Sequence, residues 1–367
     1  MPSDLNLNSM TYSLKKFLLF LVVSICTFTT AAKQLDEGHA LKRALASFST
    51  QNPRRVPPRT SSMKRIHTSA NPADRTEVYL YVYSLGDDNG FMIVSADDCA
   101  APVLGYSDRG NADMSDAPDG LKYWLTEYGR QIQWLRDHPD QATPYKIRRA
   151  SYPDIEPLVS AAWTQRAPFN KLCPLWYDGR ATLIGCGATA AAQIMKSFNH
   201  PSHGSGSVTY ETWDQTLSVS FEGVEYDWDK MLDIYREGAY TDTEAEAVAM
   251  LCFHVAAASQ TMFGPGASSS GTNDIRKALI SNFGYDKAMK YTDRDLYTPD
   301  DFENLLIEEL SNGRPIFYTG VSDKSVGHAF VLDGINSSGM VHMNWGWGSG
   351  WAGYYELSAL NPTPAPG

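Results

Sequence analysis

Gly185-Cys186-Gly187-Ala188-Thr189-Ala190-Ala191-Ala192-Gln193-Ile194-Met195-Lys196 sets one cysteine between two glycines, ahead of a run of small and helix-favouring residues. Ala, Gln, Met and Lys favour helix, so the pattern predicts a helix that opens at Cys186 and packs closely in a core. At a first helical turn, N–H groups without intrahelical partners and the positive end of the dipole stabilise a thiolate. The flanking glycines leave room for a substrate backbone to approach the sulfur. Free cysteine is also among the most buried residue types, so the same stretch fits a small core cysteine opening a buried helix equally well. The rest of the chain decides between the two.

A chain of 367 residues can bury two cores, and its 43% hydrophobic and 20% charged residues are those of a globular protein. A net charge of −11 argues against nucleic acid as the main partner. Lys15-Lys16, the apolar run Phe17 to Cys26 and the small residues Thr29-Thr30-Ala31-Ala32 describe a secretory signal peptide over 1–32, with Met10 as an alternative start. The run is short for a membrane span, so the expected product is exported, to the medium, periplasm or cell surface, with no membrane association once the signal is removed. Cys99, Cys173, Cys186 and Cys252 then remain. Their wide, irregular spacing is not a disulfide framework, and Cys186 is expected as a free thiol.

Taken in order, Leu41 to Phe48 reads as a short amphipathic helix and 51–72, rich in Pro, Arg and Ser, as a loop. Val78–Tyr83 and Phe91–Val94 alternate as strands about a Gly86–Gly90 turn, Val103–Tyr106 is a third strand, and Leu121 to Leu135 carries a helical stripe. Residues 138–157, with His138-Pro139, Pro144, Lys146, Arg148, Arg149, Pro153 and Pro157, read as an exposed linker and a candidate processing site. Beyond the Cys186 helix, helical patterns recur near 228–237, 243–260, 273–282 and 299–312, and strands near 315–318, 328–332, 339–343 and 353–357. Helices first and strands last make the second unit α+β.

A thiolate nucleophile needs a base, and the base an orienter. Of eight histidines, His254 sits mid-helix beside Cys252 and reads as core, and His342 alternates with Val341 and Met343 and fits either face. His328 heads the apolar strand Ala329-Phe330-Val331-Leu332 after Gly327, 142 residues beyond Cys186 (328 minus 186), within the separation of a papain-like pair. Sixteen residues on, Asn344-Trp345-Gly346-Trp347-Gly348 closes the next strand. Antiparallel pairing would bring Asn344 beside His328, its carbonyl holding the ring's tautomer, with the tryptophans shielding that bond or simply packing the core. For an oxyanion hole, the Cys186 N–H and the side chain of Gln165, 21 residues upstream, are the candidates. A lone Gln there is weak, whereas the order Gln, Cys, His, Asn is specific.

These residues resemble the streptopain-type bacterial cysteine peptidases, the C10 family. The resemblance is carried by Trp163–Asn170, Gly185–Lys196, Gly327–Gly334, Asn344–Gly348 and Tyr355–Pro362. It extends to Gly90–Asp98 and Val103–Asp108, which are similar to that family's inhibitory propeptide. It implies a papain-like α+β fold behind a small α+β pro-domain: signal 1–32, pro-domain with linker 33–148, catalytic domain 149–367. It implies Cys186 as nucleophile, His328 as general base and acid, Gln165 as oxyanion donor, Asn344 with Trp345 as orienters, and Ser269 and Gly327 at the substrate. Protein or peptide substrates and the chain's own pro-domain are the expected partners. Family members usually continue past the Leu-Asn-Pro segment into a glycine-rich loop and a final strand. Here the sequence stops at Gly367, so either it is truncated or that loop near the active site is absent, which bears on the substrate-site wall and on the stability of the sheet edge.

The expected activity is that of a secreted cysteine endopeptidase made as a zymogen. A Cys–His amidase or acyltransferase on cell-wall peptides uses the same constellation, and a degenerate peptide-binding homologue is the non-enzymatic alternative. No metal or cofactor is expected: Cys252 and His254 point to different helix faces, and Cys173 with Cys186 lacks ligand pairing.

Overall fold

The computed structural model describes residues 32–53, 55–110, 112–143, 145, 152–213, 215–321 and 327–359. The signal segment, the basic stretch 146–151 and the end of the chain from 360 lie outside the described residues. Helix α1 (Glu37–Gln51) starts at Asp36, whose carboxylate accepts the His39 N–H. Strands β1 (Lys64–Ala70), β2 (Val78–Ser84), β3 (Phe91–Ser95) and β4 (Val103–Ser107) then form an antiparallel meander. Helix α2 (Asp119–Asp137) carries Leu121, Leu125, Tyr128, Ile132 and Leu135 inward at helical spacing.

The second unit opens with α3 (Cys186–Phe198), followed by the hairpin β5 (Ser207–Glu211) and β6 (Thr216–Ser220). Helices α4 (Asp242–Ala258), α5 (Thr272–Asn282) and α6 (Pro299–Ser311) precede the strands β7 (Ile316–Val321), β8 (Gly327–Ile335), β9 (Val341–Asn344) and β10 (Gly353–Tyr355). Thr241 and Glu244 close a reciprocal capping box at the start of α4.

The two units share one sheet. Its strand order is β1-β2-β3-β4-β10-β9-β8-β7, so β4 of the first unit pairs with β10 of the second, Tyr106 opposite Tyr354 and Gly105 opposite Tyr355. Gly105 has a packing reason to be glycine: a Cβ there would stand 2.8 Å from Cδ1 of Tyr355. Strand β10 thus lies between β9 and β4 inside the sheet, not at its edge. One hydrophobic core is also common to both units, with Leu80, Leu121, Leu125 and Tyr128 packed with Phe330, Leu332, Trp345 and Tyr355. A second core, under α3 and α4, belongs to the second unit, and a third, around Phe48 and Tyr83, takes in Met340 and Tyr354.

Three local expectations are corrected. The loop expected over 51–72 contains β1, an edge strand of mostly polar residues with bulges between Arg65 and His67 and between Ser69 and Ala70, a composition that hides a strand. The helix expected near 228–237 is a single 3₁₀ turn, Trp228–Lys230. Its carbonyls are taken by other segments: Trp228 O accepts from Lys196 Nζ, Leu232 O from the Trp163 indole and Asp233 O from the Ala162 N–H. The stretch 152–159 is stitched to β8 instead of forming an exposed linker. Ile155 pairs with Ile335, the Leu158 N–H donates to Asp333 O, and the Val159 N–H to the Asp333 carboxylate.

Candidate active site

Cys186 is the first residue of α3, and Gly185 before it adopts φ 94°, a conformation that L side chains avoid. The two glycines are needed by the chain's own packing. A Cβ on Gly185 would come within 3.0 Å of Ser268 O, and one on Gly187 within 2.4 Å of Ile275 Cδ1 in α5. The space a side chain would take at these glycines is thus occupied by the 262–270 loop and α5. The four described cysteines, Cys99, Cys173, Cys186 and Cys252, are free thiols, and Cys186 alone among them is not fully buried.

The thiol meets β8 directly: the Ala329 N–H points at Cys186 Sγ, 3.4 Å away. Burial pushes the Cys186 thiol above the ordinary cysteine value, opposed by N–H groups of Ala329, Gly187 and Cys186 itself. His328, the next residue along β8, holds Nε2 at 3.1 Å from Trp345 O. A carbonyl only accepts, so Nε2 carries the proton and Nδ1 is left as a base. Burial lowers the His328 pKa, against the Trp345 carbonyl and the Asp119 charge, which raise it. The ring lies beside the Phe330–Trp345 pair, whose centroids are 4.5 Å apart, at 6.2 and 6.3 Å from each. No hydrogen bond joins it to Cys186 among the described residues. A thiol shifted up and an imidazole shifted down leave both groups neutral at neutral pH.

The first unit presses on this histidine. Gly120, in the first turn of α2, approaches so closely that a Cβ on it would stand 2.3 Å from His328 Cδ2. Asp119 beside it is the only carboxylate among the causes of the His328 shift.

Asn344 does not reach the ring. Asn344 faces Val331, three residues from His328, or about 10 Å along a strand, even though the bulge between Leu332 and Gly334 brings it one residue nearer than an unbroken register would. Its amide instead donates to Ala161 O at 2.7 Å and to Gln193 Oε1 at 3.2 Å, and its Oδ1 accepts the Gly346 N–H at 3.1 Å. The carbonyl that touches His328 is that of Trp345, the neighbouring residue. Gln165 is buried, and its backbone oxygen accepts the Ile184 N–H at 3.1 Å, which anchors it two residues from Cys186. Ser269 is exposed on a loop where it exchanges two backbone bonds with Met262. Gly327 opens β8, exposed, next to His328. Gln193 was not singled out in the sequence, where a glutamine inside an alanine-rich helix looks like one more helix former.

Asp97, Asp98 and Cys99 bring three ligand-type atoms within 4.8 Å of one another. Asp97 is already bonded to Arg136 at 2.9 Å and to the Cys99 N–H, and burial with Asp98 nearby pushes the Cys99 thiol up to about 12. These groups fit a structural ion pair better than a metal ligand set.

A helix-borne cysteine against a histidine-bearing strand, with an N-terminal unit packed on the histidine, defines a cysteine peptidase in precursor form. Residues 163–355 match the peptidase C10 family and residues 32–132 the Spi protease inhibitor family, and the chain belongs to the C10 family. It is 32% identical to the thiol protease/hemagglutinin PrtT of Porphyromonas gingivalis over 307 residues, 79% of this chain but only 35% of that protein. To streptopain of Streptococcus pyogenes it is 30% identical over 305 residues, 77% of this chain and 75% of the relative. A prointerpain A fragment from Prevotella intermedia, solved as a cysteine-to-alanine mutant, superposes with a TM-score of 0.68 at 31% identity, covering 82% of this chain and 94% of the fragment. Active interpain A from the same organism gives 0.52 at 36% identity over 57% of this chain and 88% of its own.

Proposed function

We propose that this chain is an exported endopeptidase zymogen: signal 1–32, pro-domain with linker 33–148 and catalytic domain 149–367. The signal rests on the basic, apolar and small-residue order of 15–32. The observation that carries the catalytic reading is the Ala329 N–H lying 3.4 Å from Cys186 Sγ, which seats the His328 strand on the thiol.

In the released enzyme the His328 ring turns to Cys186 and takes its proton at Nδ1. The thiolate attacks the peptide carbonyl, and the oxyanion is held by the Cys186 N–H and the Gln165 amide. His328 then protonates the leaving amine. A water attacks the thioester with His328 as base, restoring the thiol and freeing the acid product. The Trp345 carbonyl and Asn344 orient the histidine, while Ser269 and Gly327 line the substrate strand. The precursor is latent because α2 occupies the face of His328 and both reacting groups are neutral.

The test is intact-mass labelling of the full-length precursor with a thiol-directed epoxide peptidase inhibitor, before and after cleavage near 146–150. Stoichiometric labelling at Cys186 after cleavage, and little before it, is expected. A Cys186→Ala precursor should neither mature nor hydrolyse casein; if it does both, another nucleophile is at work. Turnover of peptidoglycan fragments without turnover of casein would move the assignment to an amidase.

A further inference from the structure

We propose that Gln193, two turns into the cysteine helix, is a positioning residue whose side-chain oxygen sets the orientation of the Asn344 amide and keys three active-site segments together. The proposal rests on the Cys186–His328 reading above.

Hydrogen-bond accounting fixes both amides. One terminal atom of Asn344 lies 2.7 Å from Ala161 O and the other 3.1 Å from the Gly346 N–H. A carbonyl accepts and an N–H donates, so the first must be the NH₂ and the second the oxygen. The Gln193 atom 3.2 Å from the Asn344 NH₂ also lies 2.9 Å from the Trp163 N–H. It faces two donors and is therefore the oxygen. Gln193 is fully buried, and its Nε2 has no partner among the described residues. Buried polar atoms without partners are uncommon. The protein thus holds an amide here with half of it unused, where a methionine would fill a similar volume. The oxygen is the part this site employs.

Its two donors belong to the machinery. Trp163 is two residues before Gln165, and its carbonyl accepts the Gly348 N–H at 3.0 Å. Asn344 precedes Trp345, whose carbonyl holds His328. Cys186, Thr189 and Gln193 share one face of α3, and a Cβ on Gly346 would lie 3.2 Å from Thr189 Cγ2. One oxygen therefore ties the oxyanion segment and the end of β9 to the helix that bears the nucleophile. Without it, the Asn344 amide can rotate, its bond to the Gly346 N–H loosens, and the Trp345 carbonyl is no longer aimed at the histidine.

The experiment compares wild type, Gln193→Met and Gln193→Glu, each expressed as the full chain, matured in trans by wild-type enzyme where needed, and titrated for active thiols. Gln193→Glu keeps an oxygen in place and, because Nε2 is unused, sacrifices no hydrogen bond. Expected is a kcat about 10–100-fold lower for Gln193→Met with KM within about twofold, and recovery to within about threefold of wild type in Gln193→Glu. The proposal is overturned if Gln193→Met keeps kcat within about threefold, or if both variants lose kcat alike, which would mark a packing role. Should Gln193→Met not fold, Gln193→Glu decides alone: recovery supports the proposal, and a loss of about tenfold or more overturns it. Inactive wild-type enzyme would instead count against the catalytic reading itself.

Discussion

His254 shows how a residue set aside from the chemistry still shapes the molecule's response to acid. It is buried in α4, with Nδ1 2.9 Å from the Tyr226 hydroxyl and its ring against Phe221, and burial pushes its pKa down to about 4. The unfolded chain binds this proton at the ordinary histidine value, the folded chain only near 4. Stability linked to His254 is therefore present above about pH 6.5 and is lost as pH falls towards 4, by about 3 kcal/mol in all. In a Cys186→Ala background, which cannot digest itself, urea midpoints should fall between pH 7 and pH 4.5. His254→Gln should flatten that fall; equal slopes in both proteins would assign the acid sensitivity elsewhere. At this same scale the meeting of the Cys186 helix with the His328 strand was legible, because a cysteine at a helix start and a histidine after a glycine at the head of an apolar strand are local patterns. Of the two orienters expected, Trp345 meets the ring, through its backbone carbonyl, while Asn344 lies opposite Val331. Which of two neighbouring residues comes level with a histidine on the next strand is set by register, which residue spacing does not report.

Helix α2 connects the two units through its first turn. Its stripe from Leu121 to Leu135 was readable as helix, yet nothing in that stripe said that the residue before it, Gly120, would rest on His328. Gly120→Ala places a methyl where the ring stands, and the helix must back away. Overpacking of this kind costs about 1–3 kcal/mol, all of it charged against the docked state. The uncleaved Gly120→Ala precursor should then react with the thiol-directed inhibitor about tenfold faster or more than the parent. An unchanged rate would show that α2 does not control access to the histidine. Strand β1 gives the opposite lesson. Its residues are mostly polar because it is an edge, so the apolar alternation that revealed β2 and β3 was missing.

The precursor is organised around a sheet that neither unit completes alone. The α+β class could be read from the chain, because each unit has its own succession of helices and strands. The pairing of β4 with β10, and the core that Leu80 and Tyr128 share with Phe330 and Trp345, could not. Both are contacts between residues more than two hundred positions apart, and periodicity reports only on neighbours. The Tyr128 hydroxyl illustrates the span, reaching both Leu104 O and Glu356 O.

The stitching of 152–159 along β8 has a kinetic consequence. A cut near 146–150 leaves the new chain end fastened to the catalytic half by Ile155, Leu158 and Val159, and leaves the leading half still paired through β4. Nothing in the site has moved at that instant. What changes is that a tethered partner has become a free one, so its return is no longer favoured by a high effective concentration. Awakening is then a matter of escape and of how crowded the solution is. A nicked sample should show rising specific activity as it is diluted over about three decades, with a lag set by dissociation. Constant specific activity would mean that the cut alone is the trigger. A precursor nicked this way stays quiet where it is concentrated and comes alive as it is diluted.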